Sequence, residues 1–147
     1  MLQFNVAING LEERITTHRL ALSDREGEAA LRQPNSNLGG SSLEVEMPSR
    51  AGVVAEHSCR LVRGSDCLHD PVAFIKIDVE GHELSCLRGL LPVLERDHPL
   101  LFVEVSDPHQ LAIMELLQPF GYVVVEAFSR YEGMTNWLLC VESHNHE

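Results

Sequence analysis

The chain has 147 residues, 44% of them hydrophobic and 22% charged, a balance that suits one globular domain burying roughly two-thirds of the surface its unfolded form exposes. Twenty-two acidic residues against eleven basic ones give a formal charge of −11. A surface of that sign repels phosphate backbones and anionic membranes alike, so nucleic acid and membrane are excluded as main partners. Cys59, Cys67, Cys86 and Cys140 contain no C-x-x-C pair, and their spacing matches neither a zinc site nor a small secreted disulfide framework. No apolar run approaches the ~18 residues of a membrane span, and "MLQFNVAINGLEER" lacks a basic n-region and a cleavage site. The expectation is a cytoplasmic protein with reduced thiols.

In chain order, Leu2 and Val6, with Phe4 and Ile8, stand near helical spacing, and Asn9-Gly10 supplies a C-terminal stop. "ITTHRLAL" at 15–22 reads as a strand halted by the turn chemistry of "SDREG". Residues 33–52, rich in Asn, Ser, Gly and Pro, read as an exposed loop with a short strand at 42–47. A weak strand signal follows at 53–61. "VAFIKID" at 72–78 is a strong one, its nearly continuous apolar run predicting a strand covered on both faces.

Leu84, Leu87, Leu90, Leu91 and Leu94 then recur at helical spacing. The grammar repeats with a strand in "PLLFVEV" at 99–105, an N-cap and helix-compatible proline in "SDPHQ", and a helix running to Gly121. Two strand-helix units in a row argue for a parallel sheet. The ending differs: "YVVVEAF" at 122–128 and "NWLLCVE" at 136–142 are joined too briefly for a crossover, which predicts an antiparallel hairpin and a frayed tail beyond it.

Ligands of open α/β sheets bind outside the carboxyl ends of the strands. Three polar sets stand at such ends: Ser23-Asp24; Asp78, Glu80, Gly81, His82 and Glu83; and Glu104, Ser106 and Asp107. Asp78 and Glu80 suit a cationic or hydroxylated ligand, or cap the following helix and complement its dipole, and spacing leaves the two readings even. For Glu83 capping is the better reading. Gly81 permits either close approach of a ligand or an unusual turn dihedral. His82 has the pKa of a general base for a hydroxyl nucleophile, against the more frequent role of a surface or capping residue. Alternation of Asp78, Glu80 and His82 also admits a divalent cation and a metal-dependent hydrolase. Asn35, Gly39, Gly40, Ser41 and Ser42 form neither G-x-G-x-x-G nor a P-loop and read as a hairpin tip or lid. Tyr131 and Trp137 suit an aromatic pocket wall, or, for Trp137, the core.

Together, "FNVAINGLEERITTHRLALSDREGEAAL", "GGSSL", "FIKIDVEGHELSCLRGL", "PLLFVEV" and "ELLQPFGYVVVE" resemble the FkbM-type methyltransferases, with I-K-I-D-V-E-G-H-E the most specific part. The resemblance implies a Rossmann-like α/β fold, mostly parallel with a C-terminal antiparallel hairpin, and methyl transfer from S-adenosylmethionine to a hydroxyl of a sugar or secondary metabolite. It implies cofactor contacts from Ser23, Asp24 and Asp78, with Asp24 near the adenine. Asp78, Glu80 and His82 would carry the chemistry, with His82 or Asp78 as base, and Gly81, Glu104 and Tyr131 would line the substrate side.

The family's first strand with its G-x-G loop, first helix and second strand do not precede "LQFNVAINGL", so residues 1–147 are expected to form a single partial domain. In the usual strand order 3-2-1-4-5-7-6, the strands at 15–22 and 72–78 then lack inner neighbours. Either they pair directly, or another chain supplies strands through a homodimer or a strand-donating partner, or the gene product is incomplete; direct pairing or a loosely held first segment is the expectation. A non-catalytic remnant or interaction module using the open sheet edge is the alternative to an enzyme.

Overall fold

The computed structural model describes residues 2–34, 41–43 and 53–142. Helix α1 (Leu2–Ile8) opens the chain and buries Val6. It stops where expected, at Gly10, whose φ of 62° suits a residue without a Cβ. The strands β1 (Ala21–Leu22), β2 (Gly27–Pro34) and β3 (Val53–Val62) form a first sheet in the order β1-β3-β2. The rest of the chain alternates: β4 (Phe74–Ile77), α2 (Glu83–Asp97), β5 (Leu100–Ser106), α3 (Gln110–Leu117), β6 (Tyr122–Tyr131) and β7 (Met134–Val141). Its sheet runs β4-β5-β7-β6.

The α/β class is as expected, whereas the sheets are mixed instead of mostly parallel. β1 with β3 and β4 with β5 pair parallel; β2 with β3, β5 with β7 and β6 with β7 pair antiparallel. The reason is local. Among neighbouring strands of the second sheet, only β4 and β5 are joined through a helix that packs back on the sheet; β7 inserts between β5 and β6, and the short link from β6 to β7 forces the antiparallel hairpin. The expected strand at 15–22 shrinks to Ala21–Leu22. Thr16, Thr17, His18 and Arg19 give it no apolar face to bury, and Ile15 is exposed. β2 carries no strong strand signal: Glu28, Ala29, Ala30, Arg32 and Gln33 are poor strand formers, and β3 recruits them through an eight-position antiparallel register. Of the loop read at 33–52, residues 33 and 34 end β2, and Ser42 forms a single bridge to Arg32. The positions 35–40 and 44–52, with Asn35, Gly39, Gly40 and most of the short strand expected at 42–47, lie outside the described residues, as does the tail at 143–147.

The strands at 15–22 and 72–78 do not pair with each other. β1 takes β3 as its neighbour and β4 takes β5, while β1 is held against helix α2 instead of against β4. At Gly89 a Cβ would fall 1.9 Å from the carbonyl oxygen of Ser23, so the helix reaches the end of β1 only because that position has no side chain.

β4 is covered on one face, not two. Strand register separates Ile75, Ile77, Leu101, Val103, Val105, Trp137 and Leu139 from Phe74, Lys76, Leu100, Phe102 and Leu138. The first set packs under Cys86, Leu87, Leu90 and Leu94 of α2 and Ile113 and Leu117 of α3 to make the core. Tyr122 closes its lower end, buried, with its hydroxyl donating to the Pro99 carbonyl at 2.9 Å. Trp137 therefore belongs to the core.

Substituting Gly89→Ala is expected to lower the unfolding free energy by about 3 kcal/mol, since the clash is with main chain that has no rotamer to give. Gly10→Ala, which meets no neighbour, should cost only about 1 kcal/mol for its left-handed dihedral. Urea titrations followed by Trp137 fluorescence measure both; equal losses would show that α2 and β1 do not need this approach.

Candidate functional site

The "DVEGHE" turn is built by its own side chains. Glu80 has a φ of 50°, uncommon for a residue with a Cβ, and Gly81 follows at 98°. Glu83, fully buried, accepts the Gly81 N–H through Oε1 at 2.8 Å and lies 3.4 Å from His109 Nδ1 through Oε2. Ser42 Oγ donates to the Glu80 carbonyl at 2.7 Å. Strain at one residue is thus held by contacts from three segments, the pattern of a turn fixed for a purpose beyond connection.

His82 precedes Glu83 at the start of α2 and makes no side-chain cap. Its ring is buried, and Nε2 lies 3.1 Å from Ser23 Oγ. Ser23 in turn donates to Asp24 Oδ1 at 3.3 Å and, through its N–H, to the Val62 carbonyl at 2.8 Å. Ser23 Oγ thus lies between Asp24 Oδ1 and His82 Nε2 and can donate to one while accepting from the other. Asp24 is further fixed by Arg25 at 3.5 Å, and its carbonyl accepts from Arg63 Nε at 3.0 Å. The first two polar sets of the sequence therefore meet, through Ser23 and His82.

The third set joins on the other side. Lys76 and Asp78 form an ion pair, and Asp78 lies near enough to Glu104, at the carboxyl ends of β4 and β5, for its charge to act on that carboxyl. Burial, followed by the charges of Asp78 and Glu80, holds the Glu104 carboxyl above its usual range, with Lys76 opposing. Glu80 is raised as well, by burial and then by Asp78 and Glu83. Three carboxylates with one lysine form a site suited to a cation or to a hydroxyl that must lose a proton.

Beside this rim, between β1 and β4 and floored by α2, lies a cavity of about 390 Å³, within the range of small-ligand pockets. Leu20, Leu22, Ile77 and Leu90 give it apolar walls, and Asp78 and His82 line it as well. Ser106 and Asp107 stand beyond the site, Asp107 accepting from Gln110 at 3.0 Å. Tyr131 pairs with Met134 at the hairpin tip, and its side chain lies outside what is described.

Asp78, Glu80 and His82 do not converge as ligands; among the described residues no cluster of three or more His, Cys, Asp or Glu side chains is arranged to hold a metal ion. Lys76 was not singled out by the sequence reading, although a K-x-D alternation on a strand puts both side chains on one face. Ser42 was read only as part of a hairpin tip or lid and His109 not as a site residue, because their partners are distant in the chain.

A family model described as the methyltransferase FkbM domain matches residues 1–124. No curated protein matches the chain. Among solved structures it is similar to the methyltransferase FkbM from Methylobacillus flagellatus KT, with a TM-score of 0.55 and 18% identity over 92% of this chain. At that identity the likeness is one of fold. The chain spans 32% of that protein's length.

A carboxyl held above its unfolded value favours the fold when protonated, so its contribution is fully present below about pH 4 and is lost as pH rises through the raised value. Glu104→Gln removes that loss. The variant should melt about one or two degrees higher than the parent at pH 7, with the gap closing toward pH 4. The lowered pKa of Asp97, set first by its hydrogen bond from Arg96, is common to both proteins and cancels. Thermal scans at the two pH values check this; a gap that widens in acid would contradict it.

Proposed function

The chain belongs to the FkbM methyltransferase family, and on that footing we propose that it serves methyl transfer from S-adenosylmethionine to a hydroxyl oxygen of a small molecule, a sugar or a secondary metabolite. The observation that carries the reading is the grouping of Asp78, Glu80 and Glu104 with Lys76 at the strand ends beside the cavity, where burial and then the charge of Asp78 raise the Glu104 carboxyl above its usual range. The donor set fits the cofactor: carboxylates suit a positive sulfur and an amino group, and the apolar cavity walls suit a ring. When bound, S-adenosylmethionine would supply a methyl group on a positively charged sulfur.

The residues of this chain do the remainder. Asp78 and Glu80 would hold the cationic part of the cofactor, with Ser23 and Asp24 on the cofactor side at the end of β1. As the acceptor oxygen gains its methyl group, its proton would pass to the Asp78–Glu104 pair, whose raised carboxyl is a better base than an ordinary one. His82, tied to Ser23 through Nε2, would position the turn. Gly81 would let main chain approach the substrate. Alignment supplies most of the rate, because the methyl donor is intrinsically reactive.

One further observation agrees with a reducing setting. All four cysteines are free, and burial with the charge of Glu83 pushes the Cys86 thiol up to about 12, which keeps it protonated and unreactive. Among the described residues no helix is long and apolar enough to cross a membrane.

Titration calorimetry with S-adenosylhomocysteine tests the reading directly, and absence of heat at millimolar ligand would overturn an autonomous enzyme. Given binding, Asp78→Asn should lower kcat/KM by about a hundredfold or more while the protein stays folded. A fall below tenfold would move the base elsewhere.

A further inference from the structure

A second hollow, of about 660 Å³, lies in the first sheet, apart from the carboxylate rim. Ahead of Ala21 the chain no longer pairs with β3, and His18, Arg19 and Leu20 line the hollow together with His57, Ser58 and Cys59 of β3. Register gives it a main-chain donor. β1 lies parallel to β3 with Ala21 opposite Leu61, and Ser23 N–H donates to the Val62 carbonyl. Val62, Arg60 and Ser58 therefore turn their N–H and C=O groups toward the β1 side, where among the described residues no strand reaches Ser58. The ionisable lining is basic: His18, Arg19 and His57 contribute to it and no carboxylate does. Arg25, Arg32, Arg63, Lys76 and Arg96 each sit in an ion pair, whereas Arg19 has no carboxylate partner among the described residues. The nearest acids of β2 and β3 face away and are occupied. Glu28 and Glu56 lie on the opposite face of the sheet from His57 and Cys59, Glu28 accepting from Ser58 Oγ at 3.4 Å and Glu56 pairing with Arg32 at 3.3 Å.

We propose that this hollow binds the phosphate group of a small phosphorylated molecule. The donors select the chemistry. An arginine fork, two imidazoles that each carry at least one ring N–H in either charge state, and the inward N–H of Ser58 are matched by the several acceptor oxygens of a phosphate. The Ser58 carbonyl beside them suits a hydroxyl of the same ligand. The volume is that of a small-ligand pocket and exceeds a bare phosphate ion, and Leu20 and Leu31 offer an apolar wall to the remainder of the molecule. Charge sets the upper size. A chain of charge −11 repels a phosphate polymer that extends past the hollow, whereas a small ligand meets the local bases, with charges beyond about 8 Å screened at physiological salt. The hollow is distinct from the methyl-transfer rim: Asp78, Glu80, His82 and Glu104 do not line it, and Arg19 stands four residues before Ser23, up to about 14 Å along the chain. Leu20 and Leu31 line both this hollow and the 390 Å³ cavity, as a wall common to the two. The proposal stands whether or not the rim transfers methyl groups.

Amide and imidazole NMR shifts test it, read during titration with glycerol phosphate at constant ionic strength. Saturating shifts are expected at the Ser58 amide and at the rings of His18 and His57, with a dissociation constant of about a millimolar. Inorganic phosphate should give the same pattern several-fold more weakly, and free glycerol none. Arg19→Gln should weaken binding about tenfold and His57→Gln by less, each with the Trp137 indole signal in its parental place, which reports that the variant folds. Arg88→Gln removes an exposed base of α2 outside the hollow and should leave the affinity as it was. Absence of saturating shifts in the parent, undiminished binding in folded Arg19→Gln, or an equal loss in Arg88→Gln would overturn the proposal. Shifts centred on Lys76 and the rim would also overturn it, by assigning the phosphate to the other site.

Discussion

The contact on which the architecture turns is the one between Ser23 and α2. Its carbonyl occupies the space that a side chain at Gly89 would need, and its hydroxyl meets the ring of His82 one residue before the helix. Through this residue the first sheet is joined to the helix that covers the second. Strand pairing does not supply the joint, because β1 and β4 belong to different sheets. The cavity between them is a consequence of that substitution of helix contact for strand contact, and the polar rim lies beside it because β4 ends where α2 begins.

Within the rim, position is set by a buried carboxylate instead of by the exposed ones. Glu83 holds the Gly81 N–H and faces His109, so the loop that carries Asp78 and Glu80 is tied to both α2 and the turn before α3. A buried acid is tolerated only when its oxygens are occupied, and here both are. The residue that spacing marked as a cap thus organises its neighbours, while Asp78 stays half-exposed at the rim.

How much the sequence revealed followed from how local each signal was. The second sheet was legible almost strand by strand, because "FIKI", "LLFVEV" and the closing hairpin are apolar runs separated by leucines at helical spacing or by a short link. The first sheet was not. Glu28, Ala29 and Arg32 adopt a strand because Arg60, Cys59 and Glu56 lie opposite them, and no pattern within β2 announces that. Continuous apolarity in 72–78 predicted burial on both faces, yet Phe74 is exposed, since an apolar run records what a strand can cover and not what covers it. The polar sets were found by their place at strand ends; their joining through Ser23 and His82, or Asp78 and Glu104, depended on contacts between distant segments.

The division into two sheets also makes the two parts of the molecule unequal. β4, α2, β5, α3 and the final hairpin are consecutive in the chain and contain the whole principal core. β1 adds two residues to the first sheet, Ala21 beside Leu61 and Leu22 beside Val62, and meets the second at α2. Local opening costs least where little is buried, so the joint between β1 and α2 is expected to open more readily than the sheet it rests on, and with it the space beside β4 would widen without unfolding the sheet beneath.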